Sequence, residues 1–193
     1  MNVELSERLD LIERMIHEGR SSSYYYGWVS VLWGIGLLVA YFWDQAAPGA
    51  RYPWPLVMGV CGVINVLVMK WHPYEGKTTW VTRALTGLWA AVGISMFLIG
   101  FLGSASRAVT PAGMRFVLFV LLGCAYAASG HILRWRLQQG CALLWWGAGV
   151  ALLYLSGTGQ HAVFAAAVLV GMVLQGVYLM ILERRNKRHD THA

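Results

Sequence analysis

Histidine is the first residue type to weigh, because a helical chain can hold haem iron between two imidazoles. The sequence has six. Two of them must approach one iron from opposite faces. Only His72 and His131 fall at a shared depth, both beside basic residues at the ends of apolar segments. His17, His189 and His192 lie in polar terminal stretches, and His161 sits at the opposite end of its segment. No cofactor is expected on this basis. His189 and His192 have a His-x-x-His spacing, but two ligands on a tail make an incomplete site, so no metal is expected either. The three cysteines, Cys61, Cys124 and Cys141, show no C-x-x-C spacing and fall inside apolar runs. They read as small packing residues rather than redox or disulfide partners.

The charged residues are as informative by their positions. No Asp, Glu, Lys or Arg occupies the middle of a long apolar segment. Ion pathways, proton relays and coupled transport usually carry such groups, so a pump or a proton-coupled transporter is disfavoured. Nucleophile–base pairs and acidic metal sites are also missing there, and the chain is not expected to be an enzyme. One polar pattern remains. Ser30, Asn65, Thr86, Ser129, His131 and Gln175 all map to the same, cytoplasmic halves of their segments, while the opposite halves have little beyond Ser95 and Ser156. Hydrogen bonding between helices is the first explanation. The alternative is a shallow ligand-binding vestibule lined by Asn65, Ser129, His131 and Gln175 and sealed on the far side by apolar packing.

The elements that position these residues are set by composition. The chain has 193 residues, 58% hydrophobic and only 12% charged, with ten Trp and nine Tyr. A soluble domain needs about 25% charged residues to cover its surface; this one is built for lipid. Segment 25–43 runs without a charge until Asp44, close to the roughly 20 residues a bilayer core requires. Further spans are expected at 54–69, 84–102, 116–133, 141–156 and 162–182, the second and fifth being short. Backbone groups in lipid must be satisfied internally, so the spans are predicted as helices. With the N-terminus inside, the cytoplasmic segments hold Arg8, Arg14, Arg20, Lys70, Lys77, Arg83, Arg134, Arg136, Arg184, Arg185, Lys187 and Arg188, against Arg51, Arg107 and Arg115 outside. This positive-inside bias predicts a multi-pass protein of the plasma (inner) membrane with both termini cytoplasmic. It also accounts for the net charge of +6 and a pI near 9.5 without nucleic acid, since the basic residues form no groove or stripe.

The first twenty residues are polar, and the apolar run behind them is long enough to remain as an anchor, so no cleaved leader is expected. They read instead as a cytoplasmic amphipathic helix over 1–20, with Leu5, Leu9, Ile12 and Ile16 at spacings of four, three and four. Gly19 and the serines at 21–23 are expected to end it. The helix either lies on the membrane surface or docks a partner chain or a second copy through that apolar face. The transmembrane domain is then 24–183, opened by the aromatic residues Tyr24, Tyr25, Tyr26 and Trp28, and 184–193 is a basic cytoplasmic tail.

Internal similarity suggests how the spans are grouped. Trp33-Gly34, Trp89-Ala90 and Trp146-Gly147 recur near the starts of alternate spans, followed by Gly36, Gly93 and Gly149. Gly59, Asn65, Lys70 and Trp71 match Gly123, Ser129, Arg134 and Trp135 at a constant offset of 64. Small residues four apart, such as Gly36/Ala40 and Gly147/Ala151, would let helices approach closely. The expected fold is an all-α integral membrane protein with six transmembrane helices in three tandem hairpin repeats. These hairpins, together with the ending VLVGMVLQGVYLMILERRNKR at 168–188, resemble the HdeD-type acid-resistance membrane proteins. The resemblance runs through Gly171, Gly176 and the basic stop, and covers the six-span layout. The long N-terminal helix and the Tyr run depart from it. Since that family offers no defined catalytic residues to carry over, the resemblance implies a fold more than an activity.

Three functional classes follow. A non-catalytic membrane protein acting by association, as an accessory subunit, membrane-stress factor or regulator, fits the missing chemistry and the N-terminal helix. A transporter or binding protein for a small neutral solute fits the polar cluster. An enzyme or redox subunit is supported by little beyond His72 and His131.

Overall fold

The computed structural model describes residues 2–47, 53–72, 79–103, 106 and 110–190. All of its regular structure is helical, with no strand among the described residues. The helices are α1 (Asn2–Tyr25), α2 (Gly27–Ala46), α3 (Pro53–Trp71), α4 (Trp80–Phe97), α5 (Pro111–Ile132), α6 (Arg136–Tyr154), α7 (Gly157–Val168) and α8 (Gln175–Asp190). A π-helical segment, Leu98–Gly103, continues α4, and a second, Leu169–Leu174, joins α7 to α8.

Five stretches are long and apolar enough to cross a membrane: Gly27–Ala46, Pro53–Trp71, Trp80–Gly100, Ala112–Ile132 and Gly157–Arg185. They fit a multi-pass membrane protein. Helix α6 is not among them, although the sequence places the fifth span there. Its first turn carries Arg136, Gln138 and Gln139, and these polar residues dilute the apolar run that follows. On α3 the buried residues are Pro53, Val57 and Cys61, and on α4 they are Val81, Thr82, Leu85 and Val92. The other side chains of both helices are half-buried or exposed.

The chain divides into two compact units, the first made of Met1–Ser22 and Gly76–Ser156, the second of Ser23–Glu75 and Gly157–Ala193. In the first unit, α4 and α5 start on threonine caps. Thr79 accepts from the Thr82 N–H at 3.3 Å and Thr110 from the Gly113 N–H at 3.2 Å, with Pro111 opening α5. Helix α5 ends where Arg134 turns left-handed at φ 48°, and the Trp135 N–H closes the turn on the Gly130 carbonyl at 2.8 Å. The chain then doubles back, and α6 packs along α5 as a hairpin. A methyl group added to Gly123 would lie 2.3 Å from the Trp146 indole, so only hydrogen leaves room for that ring.

Helix α1 belongs mostly to this unit, and it corrects the sequence reading. It runs through Gly19 and the serines at 21–23 to Tyr25 rather than ending near residue 20. Glycine costs about 1 kcal/mol in a helix interior, but here it is buried against Val81 and Leu133, where a methyl group would stand 2.7 and 2.8 Å from their side chains. Remote packing overrides the local stop signal.

In the second unit, α2 packs on α3 and on the α7–α8 run. Gly36 faces α3, where a methyl group would meet the Cys61 sulfur at 2.6 Å. Ala40, Val57 and Cys61 form the core of that contact, flanked by Leu32, Trp33, Trp54 and Met58. On its other side α2 meets α8 backbone to backbone. A methyl on Gly176 would come within 2.6 Å of the Gly27 carbonyl.

The closest packing between consecutive helices is that of α2 with α3 and of α5 with α6. Helices α6 and α7, expected to pair as the third hairpin, fall in different units. The repeated glycines are also used differently: Gly36 packs on Cys61 and Gly149 on Phe119, whereas Gly59, Gly93 and Gly147 meet nothing within 4 Å.

Candidate functional site

Helix α1 packs on the first unit through residues beside the expected docking face. Met15 joins the buried cluster of Val81, Leu85 and Leu133, and Gly19 seats one turn later on the same partners. Arg20 completes the anchor. Its Nε donates to the Leu133 carbonyl at 2.9 Å and its Nη2 to the Arg134 carbonyl at 2.7 Å. These are the open carbonyls at the C-terminal end of α5, where the helix dipole favours a cation. Of the expected face itself, Ile12 and Ile16 are the described members. Leu11 is 56% exposed and Ile12 50%, Ile16 is half-buried, and the side chains of Leu5 and Leu9 lie outside the described residues.

The four residues read as a vestibule are distributed over the two units. Asn65 and Gln175 belong to the second, Ser129 and His131 to the first. Asn65 is half-buried on α3 and Gln175 is buried at the start of α8, with α2 packed against both helices. Ser129 is only 1% exposed, whereas His131, two residues on, is exposed. Residues two apart on a helix point about 200° apart, so these two do not line one surface. The His131 Nδ1–H donates to the Ala127 carbonyl of its own helix at 2.9 Å.

The remaining candidates for chemistry are also dispersed. His72 is exposed, and its carbonyl accepts a hydrogen bond from the Tyr25 hydroxyl. The side chains of His17 and His189 and all of His192 lie outside the described residues. Among the described residues no three His, Cys, Asp or Glu side chains gather as a metal site. All three cysteines are free; Cys61 and Cys141 are buried in helix contacts and Cys124 is exposed. Comparison with family models, curated proteins and solved structures finds no match for this chain. Its own geometry has to carry the functional reading.

That geometry contains features the sequence reading passed over. Tyr41 is buried in the second unit, shares a 2.9 Å hydrogen bond with His161 Nδ1, and stacks on Phe164 at 3.9 Å. In the first unit, Tyr126 and Trp145 face each other across the α5–α6 hairpin with ring centroids 6.4 Å apart, and Trp89 meets Tyr126 edge-on at 5.2 Å. Gln138 lies two turns before Trp145 on the same face of α6 and is 4% exposed. Three buried polar atoms along this seam, Ser129 Oγ, Gln138 Oε1 and Trp145 Nε1, have no hydrogen-bond partner. The seven-residue spacing of Gln138 and Trp145 was the available signal, hidden because Gln138 sits where a loop was expected.

Proposed function

We propose that the protein is a non-catalytic, six-span membrane protein of the plasma (inner) membrane that acts by association, with α1 as its docking element. The observation that carries this reading is the half-anchored state of α1. Met15, Gly19 and Arg20 hold one end on the first unit, while Leu11 and Ile12 remain exposed. Exposed Arg8, Asp10, Glu13 and Arg14 surround that apolar patch with both signs of charge. An apolar centre with a mixed polar rim suits a partner helix, from another protein or a second copy, better than a uniformly anionic lipid surface.

The six-span topology is supported by the length of α6. Its 19 residues extend about 28 Å at 1.5 Å per residue, close to the thickness of a bilayer core. The positive-inside bias supports cytoplasmic termini. The HdeD-type resemblance fits the same non-catalytic, hairpin-repeat reading.

The test replaces Leu9 and Ile12 by Asp in the full-length chain. A buried Leu contributes roughly 1.5–3 kcal/mol, so the double variant should weaken a modest interface at least tenfold. Membrane insertion should be unchanged. Cross-linking and particle size in mild detergent report the association, and unchanged values for both would defeat the reading.

A further inference from the structure

We infer that the partner of α1 is α1 of a second copy of this chain, paired in parallel over residues 5–16. The inference rests on the association reading and names the occupant of that surface. Leu5, Leu9, Ile12 and Ile16 fall at spacings of four, three and four, which are the d, a, d and a positions of a heptad pattern. In that register Arg8 takes a g position and Glu13 the e position five residues later. Arg8, Ile12 and Glu13 are all exposed. Projected at about 100° per residue, Arg8 and Glu13 stand about 70° to either side of the apolar stripe. In a parallel pair a g residue lies beside the e residue of the partner's next heptad. Arg8 therefore meets Glu13 of the second copy, and by symmetry the contact forms twice.

Charge selects this register over the antiparallel one. Antiparallel helices set g against g and e against e. Aligning the same four apolar positions in that way matches Leu9 with Ile12 and Leu5 with Ile16. Arg8 then falls beside Met15 and Glu13 beside Ser6, so neither charge meets an opposite one. Met15 is also committed already, to Val81, Leu85 and Leu133 of its own unit. The parallel register leaves that packing intact. It ends at Ile16, and just beyond it Gly19 and Arg20 hold α1 to its own chain.

A stretch this short makes a marginal coil between free peptides, because each helix must first be nucleated. Two features of this chain lift that limit. Helix α1 already runs from Asn2 to Tyr25 and is anchored by Arg20, so pairing does not have to create it. Two copies inserted the same way in one membrane also carry α1 on the same side and meet at a raised effective concentration. A twofold axis along the membrane normal then relates them, which makes the contact surface the same on both copies. A mixed-sign rim around an apolar centre is what such a self-complementary surface requires, since each copy must supply both halves of every charge pair.

The test uses full-length chains carrying two different tags, coexpressed and co-purified in mild detergent. Arg8→Glu places two acidic residues at each contact and Glu13→Arg two basic ones, so either variant alone should recover its own second copy about fivefold less well, or worse. Coexpressed with each other, the two variants meet with opposite charges at both contacts, and recovery should return to the native level. In a chain with Cys61, Cys124 and Cys141 replaced by Ala, Ile12→Cys should cross-link between copies on mild oxidation. Leu11→Cys, exposed but at position c, should not. Unchanged recovery in either single variant, failure of the mixed pair to rescue, or equal cross-linking at positions 11 and 12 overturns the proposal. If the charge variants change nothing while Leu9→Asp with Ile12→Asp removes a bound protein of different mass, this proposal falls and the association reading stands. If the Asp double variant also changes nothing, both fall.

Discussion

Arg20 is the best-defined joint between the N-terminal helix and the rest of the first unit, and Arg20→Ala tests it directly. The guanidinium makes two charge-assisted hydrogen bonds, at 2.9 Å from the half-buried Arg20 to the carbonyl of buried Leu133 and at 2.7 Å to the carbonyl of exposed Arg134. A hydrogen bond to a charged group contributes roughly 1.5–3 kcal/mol, but an exposed one is discounted toward the roughly 0–1 kcal/mol of surface ion pairs. The loss on truncation is then about 2 kcal/mol, a factor of roughly 30 in the equilibrium between docked and undocked α1. Hydrogen exchange of the segment around residues 12–23 reads that equilibrium, because amides exchange through local opening. Exchange there should accelerate about 30-fold, with the α2–α8 contacts unchanged. Arg20→Lys keeps the charge but loses the two-pronged geometry, and should fall between. Rates within twofold of the native protein in Arg20→Ala would refute the anchoring role, whatever the effect of the lysine variant.

Two further outcomes follow from the helix contacts and the span reading. Gly176→Leu drives a side chain into the Gly27 carbonyl and should lower stability by about 1–3 kcal/mol, seen as a reduced thermal midpoint in detergent, whereas Gly59→Leu, with nothing within 4 Å, should shift it little. If α6 crosses the membrane, cysteines placed at Gly140 and Gly159 should react with an impermeant thiol reagent from opposite sides, cytoplasmic and external respectively, in a protein whose native cysteines are replaced; labelling from one side would reduce the spans to five.

The long apolar helices were legible in the sequence because length and apolar composition are local properties. A run such as Gly27–Ala46 needs no tertiary partner to be apolar and long enough, and its backbone must be helical in lipid whatever it packs against. Helix ends and helix partners were less legible. Gly19 looks like a stop until Val81 and Leu133 are brought against it. The α5–α6 link looked like an interfacial loop over 134–140. Yet the α-helix resumes at Arg136, because the left-handed turn at Arg134 needs few residues to reverse the chain.

The polar residues show why a side chain's depth in a span says little about its neighbours. In a soluble helix the apolar stripe marks the buried face, but in lipid both faces are apolar and the hydrophobic pattern loses its direction. Ser129 and His131 therefore looked equivalent at similar depth, and only the packing of α5 separates a buried hydroxyl from an exposed imidazole. The same ambiguity affects the repeated glycines. Gly36 and Gly93 follow similar Trp-containing phrases, yet Gly36 receives the Cys61 sulfur while Gly93 faces open space. A shared phrase can preserve the insertion signal of a span while leaving each glycine to be used, or not, by the helix that packs against it. The signal that survives this ambiguity is polarity on a seam that is already buried. Gln138 and Trp145 share a face with Cys141 and Ala142 between them, and a face buried that completely has no lipid-facing reason to carry an amide.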